Sequence, residues 1–148
     1  MAIRKRLKQL EELTFTEWRV FLSAILLLPM IALVLKSIGF KKAQTFLSNH
    51  LSKKPKISIR EDMQLEEAQS VARMVSVAAN YGPYHVNCLK RSLLVWWLLG
   101  RRGIATDLKI GVNKDLEDFS AHAWVEYQGN VLIDASNIED RFSAFTSR

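Results

Sequence analysis

Over its first hundred residues the chain alternates polar and apolar positions with the period of an α-helix. The most prominent segment is an uncharged apolar run from Val20 to Leu35, with Thr14 or Thr16 before it as the candidate N-cap. Further along, Ser58 and Glu61 match a capping box. The pattern predicts helices over residues 3–12, through the apolar run, over 40–51, from about 59 to 79, and over 88–100.

After residue 106 the period changes to that of a β-strand. Apolar and polar residues alternate over 108–112, and two more strands are predicted over 121–126 and 130–135. Three residues, Tyr127 to Gly129, connect the last two strands. Helices followed by a small antiparallel sheet predict an α+β fold.

Three interpretations fit the apolar run of residues 20–35. Sixteen helical residues span about 24 Å, which is short for a transmembrane anchor, and Pro29 would kink the helix. A signal peptide is disfavoured because no small-residue cleavage site follows. The favoured interpretation is a helix buried against the rest of the protein or against a partner, with a membrane anchor as the alternative.

Composition narrows the classes of function. The chain has 148 residues, a net charge of +6 and 49% hydrophobic residues, which suits one compact domain with a core. Residues 1–60 contain twelve Lys or Arg against three Asp or Glu, whereas residues 61–148 contain nine against twelve. The basic part lacks the interleaved aromatic residues of a single-strand binder, so nucleic-acid binding is not expected. A contact between residues 1–60 and a membrane surface or an acidic partner is expected instead.

The cysteine and histidine content bears on redox compartment and metal binding. Cys88 is the only cysteine, so an internal disulfide is excluded and a reducing cytoplasm is the fitting compartment. His50, His85 and His122 are scattered, which disfavours a structural zinc site. No metal and no cofactor are expected.

Cys88, His122 and Asp134 form the candidate catalytic set. Cys88 opens the apolar helix, while His122 and Asp134 belong to the second and third predicted strands. A three-residue loop ending in glycine would pair Glu126 with Asn130 and place His122 opposite Asp134 on one face. A two-residue loop of Gly129-Asn130 would instead place the two side chains on opposite faces. A thiol at a helix start beside an imidazole and a carboxylate is the nucleophile arrangement of papain-like enzymes.

Each residue of this set has a chemical role and a purely structural alternative. Cys88 would be the nucleophile, His122 the base and Asp134 the group that orients the imidazole. The backbone amide of Cys88 would bind the oxyanion, with Asn87 and Tyr84 as candidates for the second donor. Alternatively, the cysteine is a small buried hydrophobe, the histidine a structural strand residue and the aspartate a turn former.

Two stretches carry a family resemblance. The cysteine helix of residues 87–104 and the Ala-His-Ala-Trp pattern of residues 121–126, followed by Gly129 and Asp134, resemble the B2 proteins of lasso-peptide biosynthesis. These are transglutaminase-like leader peptidases of ribosomally made, threaded peptides. The resemblance covers roughly residues 60–135.

The resemblance implies a papain/transglutaminase-like cysteine peptidase domain over residues 57–148, preceded by a basic and apolar helical appendage over residues 1–56. Such an enzyme removes the leader from a precursor peptide through a thioester on Cys88, with His122 as base and Asp134 as orienting acid. A transglutaminase-like acyl transferase and a catalytically inactive, membrane-associated interaction protein are the alternatives.

Partners and location follow from the same resemblance. An ATP-dependent lasso cyclase would use the freed amine of the core peptide. Residues 1–58 show no winged-helix pattern, so a separate B1-type leader-binding protein is expected as a partner. The implied location is the cytoplasm, with contact to the inner face of the membrane as an option.

Overall fold

The computed structural model describes residues 13–51, 59–82, 86–113, 121–133 and 142–145. Within these ranges four helices precede a four-stranded antiparallel sheet, so the α+β class is confirmed. The helix predicted over residues 3–12 lies outside the described residues. The helices are α1 (Phe15–Ile38), α2 (Phe40–Leu51), α3 (Glu61–Tyr81) and α4 (Cys88–Arg101); the strands are β1 (Asp107–Asn113), β2 (Ala121–Tyr127), β3 (Asn130–Val131) and β4 (Phe142–Phe145).

Helix α1 begins at a capping box. The Thr14 side chain accepts a hydrogen bond from the Glu17 backbone N–H, and a Glu17 carboxylate oxygen accepts one from the Thr14 N–H at 2.9 Å. This resolves the choice between Thr14 and Thr16 in favour of Thr14. The helix continues through Pro29 to Ile38, where Gly39 ends it with a positive φ of 77°. Glycine adopts this backbone conformation without the steric cost that a Cβ would bring.

The start of α3 differs from the prediction. Its N-cap is Arg60, which makes no side-chain capping hydrogen bond, and the helix begins at Glu61. The capping box predicted for Ser58 and Glu61 is therefore wrong, and Ser58 itself lies outside the described residues. Acidic residues in the first turn supply favourable charge at the positive end of the helix dipole, as Glu61 and Asp62 do here. A helix can start on this charge without a side-chain cap.

The sheet has the order β3-β2-β1-β4. Strands β1 and β2 pair antiparallel from Asp107 opposite Glu126 to Val112 opposite Ala121, and β4 pairs antiparallel with the other edge of β1. Two expectations need correction. The strand predicted over 130–135 is regular only at Asn130–Val131, and β4 was not predicted because four residues are too short to show a clear alternation.

The core lies between the helices and one face of the sheet. Val125 and Tyr127 of β2 and Leu108 of β1 join apolar residues of α3 and α4 in one buried cluster. Helix α1 contributes five residues to the same cluster, so in the described structure it packs on α3 and α4 rather than standing apart. Those five residues are Val20, Phe21, Ala24, Leu28 and Ile31.

Candidate active site

The predicted nucleophile, Cys88, is the first residue of α4. Asn87 precedes it as N-cap, and its side-chain oxygen accepts a hydrogen bond from the Lys90 backbone N–H at 3.1 Å. The first N–H groups of a helix have no acceptor within the helix. Asn87 accepts from the Lys90 N–H, and the N–H groups of Cys88 and Leu89 have no acceptor within the helix itself. The thiol forms no disulfide, and Cys88 is half-buried.

Asn87 was also a candidate oxyanion donor. Its side-chain oxygen is engaged as the helix cap, which fixes the side chain against the first turn of α4. Asn87 is exposed, and its NH₂ group is the part that retains donor capacity. The other candidate, Tyr84, lies outside the described residues.

A buried serine joins the helix that begins at Cys88 to the strand that contains His122. Ser92 is fully buried, and its hydroxyl donates a 2.9 Å hydrogen bond to the backbone carbonyl of Ala123 in β2. Residues four apart lie on the same side of a helix, so Cys88 is one turn from this contact. His122 is one residue from it on the strand. The N-terminal part of α4 therefore lies against the start of β2.

The Ala123 carbonyl also shows where the helix lies. The Leu132 N–H donates to the Val125 carbonyl, so the odd-numbered carbonyls of β2 point toward β3. The Ala123 carbonyl lies beyond the end of β3, and Ser92 supplies its donor. Helix α4 thus meets β2 on the side of the strand that faces β3, beyond the point where β3 ends.

His122 is held by its neighbours on β2. It pairs across the ladder with Gly111 of β1, and its ring lies stacked with the Trp124 ring, with centroids 6.5 Å apart and planes 20° apart. Trp124 is only 1% exposed, so it is a fixed surface beside the imidazole. His122 is half-buried and makes a further contact within the molecule. The ring is therefore restrained on one side and partly open to solvent.

Trp124 is in turn fixed by a buried carboxylate. Its indole N–H donates to Glu126 at 2.7 Å, and the other Glu126 oxygen pairs with the Lys109 ammonium at 2.6 Å. Glu126 is 3% exposed, so the ammonium supplies the charge partner that a buried carboxylate needs. The motif Ala-His-Ala-Trp-Val-Glu thus places a histidine, a tryptophan and a glutamate in sequence on one face of β2, because strand side chains alternate.

The register of the β2–β3 hairpin contradicts the prediction. Tyr127 pairs with Asn130, and the turn is Gln128-Gly129, with positive φ at both residues (48° and 80°). Two positive φ values define a type I′ turn. The predicted three-residue loop with Glu126 opposite Asn130 is therefore wrong. The sequence did not predict this turn, because the first position of a type I′ turn is usually Asn or Asp and here it is Gln128.

The hairpin register consequently gives no support for Asp134 opposite His122. The regular ladder also ends early, since the adjacent residues Leu132 and Ile133 both contact the core and the chain bends at Ile133. A flat strand would direct two adjacent side chains to opposite faces. Asp134 itself lies outside the described residues, so its role stays a prediction.

Sequence reasoning missed the roles of Ser92 and Glu126. A serine inside an apolar helix does not by itself predict a contact with a strand. Its spacing of four from Cys88 does predict that Ser92 and Cys88 lie on the same side of the helix. Among the described ranges, no group of three or more His, Cys, Asp or Glu is arranged to hold a metal ion.

The comparisons with known proteins agree with this arrangement. The family model described as the transglutaminase-like superfamily matches residues 30–147, which is most of the chain. No curated protein and no solved structure matches significantly. The matched region begins inside α1 and includes the cysteine helix, the histidine strand and the rest of the sheet. A cysteine at the start of a helix that is joined to a histidine-bearing strand thus coincides with a family match over most of the sequence, and the chain belongs to the transglutaminase-like superfamily.

Proposed function

We propose that this protein is a cysteine peptidase that removes the leader from a ribosomally made lasso-peptide precursor. The observation that carries the proposal is the hydrogen bond from Ser92 to Ala123, which brings the helix start with Cys88 next to the strand with His122. Superfamily membership supports thiol-based chemistry. The resemblance of residues 60–135 to the lasso B2 proteins supports the substrate class.

In the proposed reaction the Cys88 sulfur attacks the carbonyl carbon at the leader–core junction. The oxyanion forms beside the N–H groups of Cys88 and Leu89, at the positive end of the α4 dipole. His122 takes the thiol proton and gives it to the departing amine of the core peptide, which leaves a thioester on Cys88. Water, activated by His122, hydrolyses the thioester and releases the leader acid. Asp134 orients the imidazole and stabilises its charged form.

The proposed partners and location complete this function. The precursor peptide is the substrate, a separate B1-type protein presents its leader, and an ATP-dependent cyclase consumes the freed core. The cytoplasm is the proposed location because the lone thiol must stay reduced for catalysis. The basic N-terminal third brings the enzyme to the inner face of the membrane.

Mass spectrometry of a reaction with precursor and leader-binding protein tests the activity. The full chain is expected to release leader and core with masses that account for one added water. Cys88→Ala and His122→Ala are expected to lower the rate by roughly a thousandfold or more, because each removes a group that acts in the chemical step. Cleavage by either variant at the wild-type rate would rule out the mechanism.

Asp134→Asn tests the orienting acid. This variant is expected to lower kcat while leaving the unfolding midpoint near that of the wild type, because the amide cannot stabilise the imidazolium. Asp62→Asn is the matched control, since Asp62 is exposed and pairs only with Arg60 at the surface in the described structure. Full activity of Asp134→Asn would remove Asp134 from the catalytic set.

Acyl transfer is the second candidate, because an amine can replace water as the acceptor of the same thioester. Adding a primary amine to the reaction distinguishes the two outcomes. A leader carrying the amine as the main product would favour a transferase, and free leader acid favours the peptidase.

An inactive interaction protein is the third candidate, and alkylation of Cys88 tests it directly. Iodoacetamide labelling that persists well below pH 7 indicates a stabilised thiolate and supports an enzyme. A thiol that reacts only at alkaline pH supports the inactive protein.

A further inference from the structure

Helix α1 exposes a continuous apolar surface. Six large apolar residues recur at intervals of three or four, so they fall within about a third of the helix circumference and extend for about 27 Å. All six are at least 37% exposed, and Leu26 reaches 72%. Exposed apolar surfaces of this extent mark interaction sites. We call these residues the apolar stripe: Phe15, Trp18, Leu22, Leu26, Met30 and Leu33.

The opposite face of α1 is already occupied. Val20, Ala24 and Leu28 are buried against the core formed with α3 and α4. The N-terminal end is tied to α3, where Arg73 pairs with the Glu17 carboxylate. The helix is long and apolar enough to cross a membrane by composition alone. Because one face is packed along a domain that carries surface charges, α1 fits the surface of a bilayer rather than its interior.

Helix α2 lies beside the apolar stripe and adds exposed apolar surface to it. A pocket of about 270 Å³ lies between α1, α2 and the end of α4, with Met30, Phe46 and His50 among its lining residues. Phe46 is itself 52% exposed, so the apolar surface continues from the stripe onto α2. Lys42 lies one turn before Phe46 on the same side of α2. A cation thus borders the apolar surface here.

The charged residues that α1 and α2 expose in the described structure are all basic. Arg19, Lys36, Lys41 and Lys42 are exposed on α1 and α2. Glu17 is the only acidic residue between positions 15 and 51, and it is paired with Arg73. Apolar residues bordered by cations are the pattern of a helix that lies in the interface of an anionic membrane. A second copy of the same surface would be repelled, since both faces are basic.

We infer that the apolar stripe and the Phe46 side of α2 dock on an anionic lipid bilayer, with α1 parallel to the membrane plane. The large side chains enter the boundary between headgroups and acyl chains, and the bordering cations contact lipid phosphates. The site with Cys88 lies at the other end of α4 from Arg101, which lines the pocket, about 20 Å away along the helix axis. Docking therefore leaves the thiol accessible. The inference does not depend on peptidase activity.

Flotation of the full chain with vesicles tests this inference. The wild type is expected to float with phosphatidylcholine vesicles that contain phosphatidylglycerol, and about 10-fold less with phosphatidylcholine alone or at high salt. Leu26→Glu/Leu33→Glu is expected to lower the partition coefficient about 10-fold or more, because it places two carboxylates in the stripe. Met63→Glu/Tyr81→Glu is the matched control, with two exposed apolar residues of α3 changed instead, and is expected to float like the wild type.

Four results would overturn the inference. They are equal flotation of the stripe variant and the wild type, equal flotation with neutral and anionic vesicles, resistance of bound protein to alkaline carbonate extraction, and a wild-type dimer that the stripe variant dissociates without any vesicle binding. The third result would indicate a spanning helix, and the fourth a self-association surface. Circular dichroism and the urea midpoint of each variant confirm that the change in binding does not come from unfolding.

Discussion

At the scale of single residues, a few hydrogen bonds set the relation between helix and strand at the candidate site. The Ser92 hydroxyl donates a hydrogen bond to the backbone carbonyl of Ala123, the residue after His122. This carbonyl lies just beyond the end of β3. On the other side of the histidine, the Trp124 ring is held by Glu126. These contacts act on the backbone of β2 and on the ring beside the imidazole, so they position the candidate base without taking part in the chemistry.

Ser92→Ala tests the first of these contacts. The substitution leaves a buried carbonyl without its hydroxyl donor, so we expect the free energy of unfolding to fall by about 1–3 kcal/mol. Urea denaturation followed by circular dichroism measures the change. Ser23→Ala is the control, since Ser23 is exposed on α1 and should leave the stability within about 0.5 kcal/mol of the wild type. A Ser92 variant as stable as this control would show that the contact contributes little.

At the scale of secondary-structure elements, the N-terminus of α1 couples a local cap to a tertiary contact. Glu17 completes the capping box with Thr14 and also pairs with Arg73 of α3. The hydrogen bonds from Thr14, together with Arg73, hold the pKa of Glu17 below its ordinary value of 4.5, although burial opposes the shift. The carboxylate thus stabilises the helix and its packing only while it is ionised.

This coupling predicts a pH dependence of stability. Because the folded-state pKa of Glu17 is lowered, its contribution is fully present above the unfolded pKa of about 4.5 and is lost as the pH falls through the folded-state pKa. Glu17→Gln should therefore be less stable than the wild type at pH 6, and the difference should shrink toward pH 3. Urea unfolding at both pH values measures it. A difference that stays constant with pH would show that charge is not the cause.

At the scale of the whole molecule, α1 both completes the core and presents an outer surface. Leu28 is 3% exposed, whereas Leu26, two residues earlier on the same helix, is 72% exposed. The same helix therefore contributes to folding on one face and offers the apolar stripe on the other. The family match, which starts at residue 30, includes the last nine of the 24 residues of this helix.

Two leucine substitutions separate these functions of α1. Leu28→Ala is expected to lower the free energy of unfolding by about 2–5 kcal/mol, because it opens a cavity in the core. Leu26→Ala should change it by less than about 0.5 kcal/mol, because the side chain is exposed. Urea denaturation of both variants decides whether residues 1–56 form a separate appendage. A small effect of Leu28→Ala would indicate that α1 folds apart from the rest of the chain.

The sequence by itself determined the local features of this protein. The start of α1 at Thr14 or Thr16, the bounds of α2, the start of α4 at Cys88 and the strand with His122 all follow from periodicity and from interactions within a few residues. Such signals are reliable because the interacting groups are close in the chain. The family resemblance depends on the same local stretches.

Only the tertiary structure decided which face of α1 is buried, where β3 ends and how the hairpin pairs. Helix α1 is apolar on all sides, so periodicity cannot distinguish its core face from its exposed stripe. Strand β3 ends where Leu132 and Ile133 both contact the core. Beyond that point the Ala123 carbonyl of β2 accepts a hydrogen bond from Ser92 of α4 instead of from a strand residue. The turn at Gln128 adopts a positive φ although its side chain does not favour one. In each case the deciding contact joins residues that are far apart in the sequence or overrides a local preference.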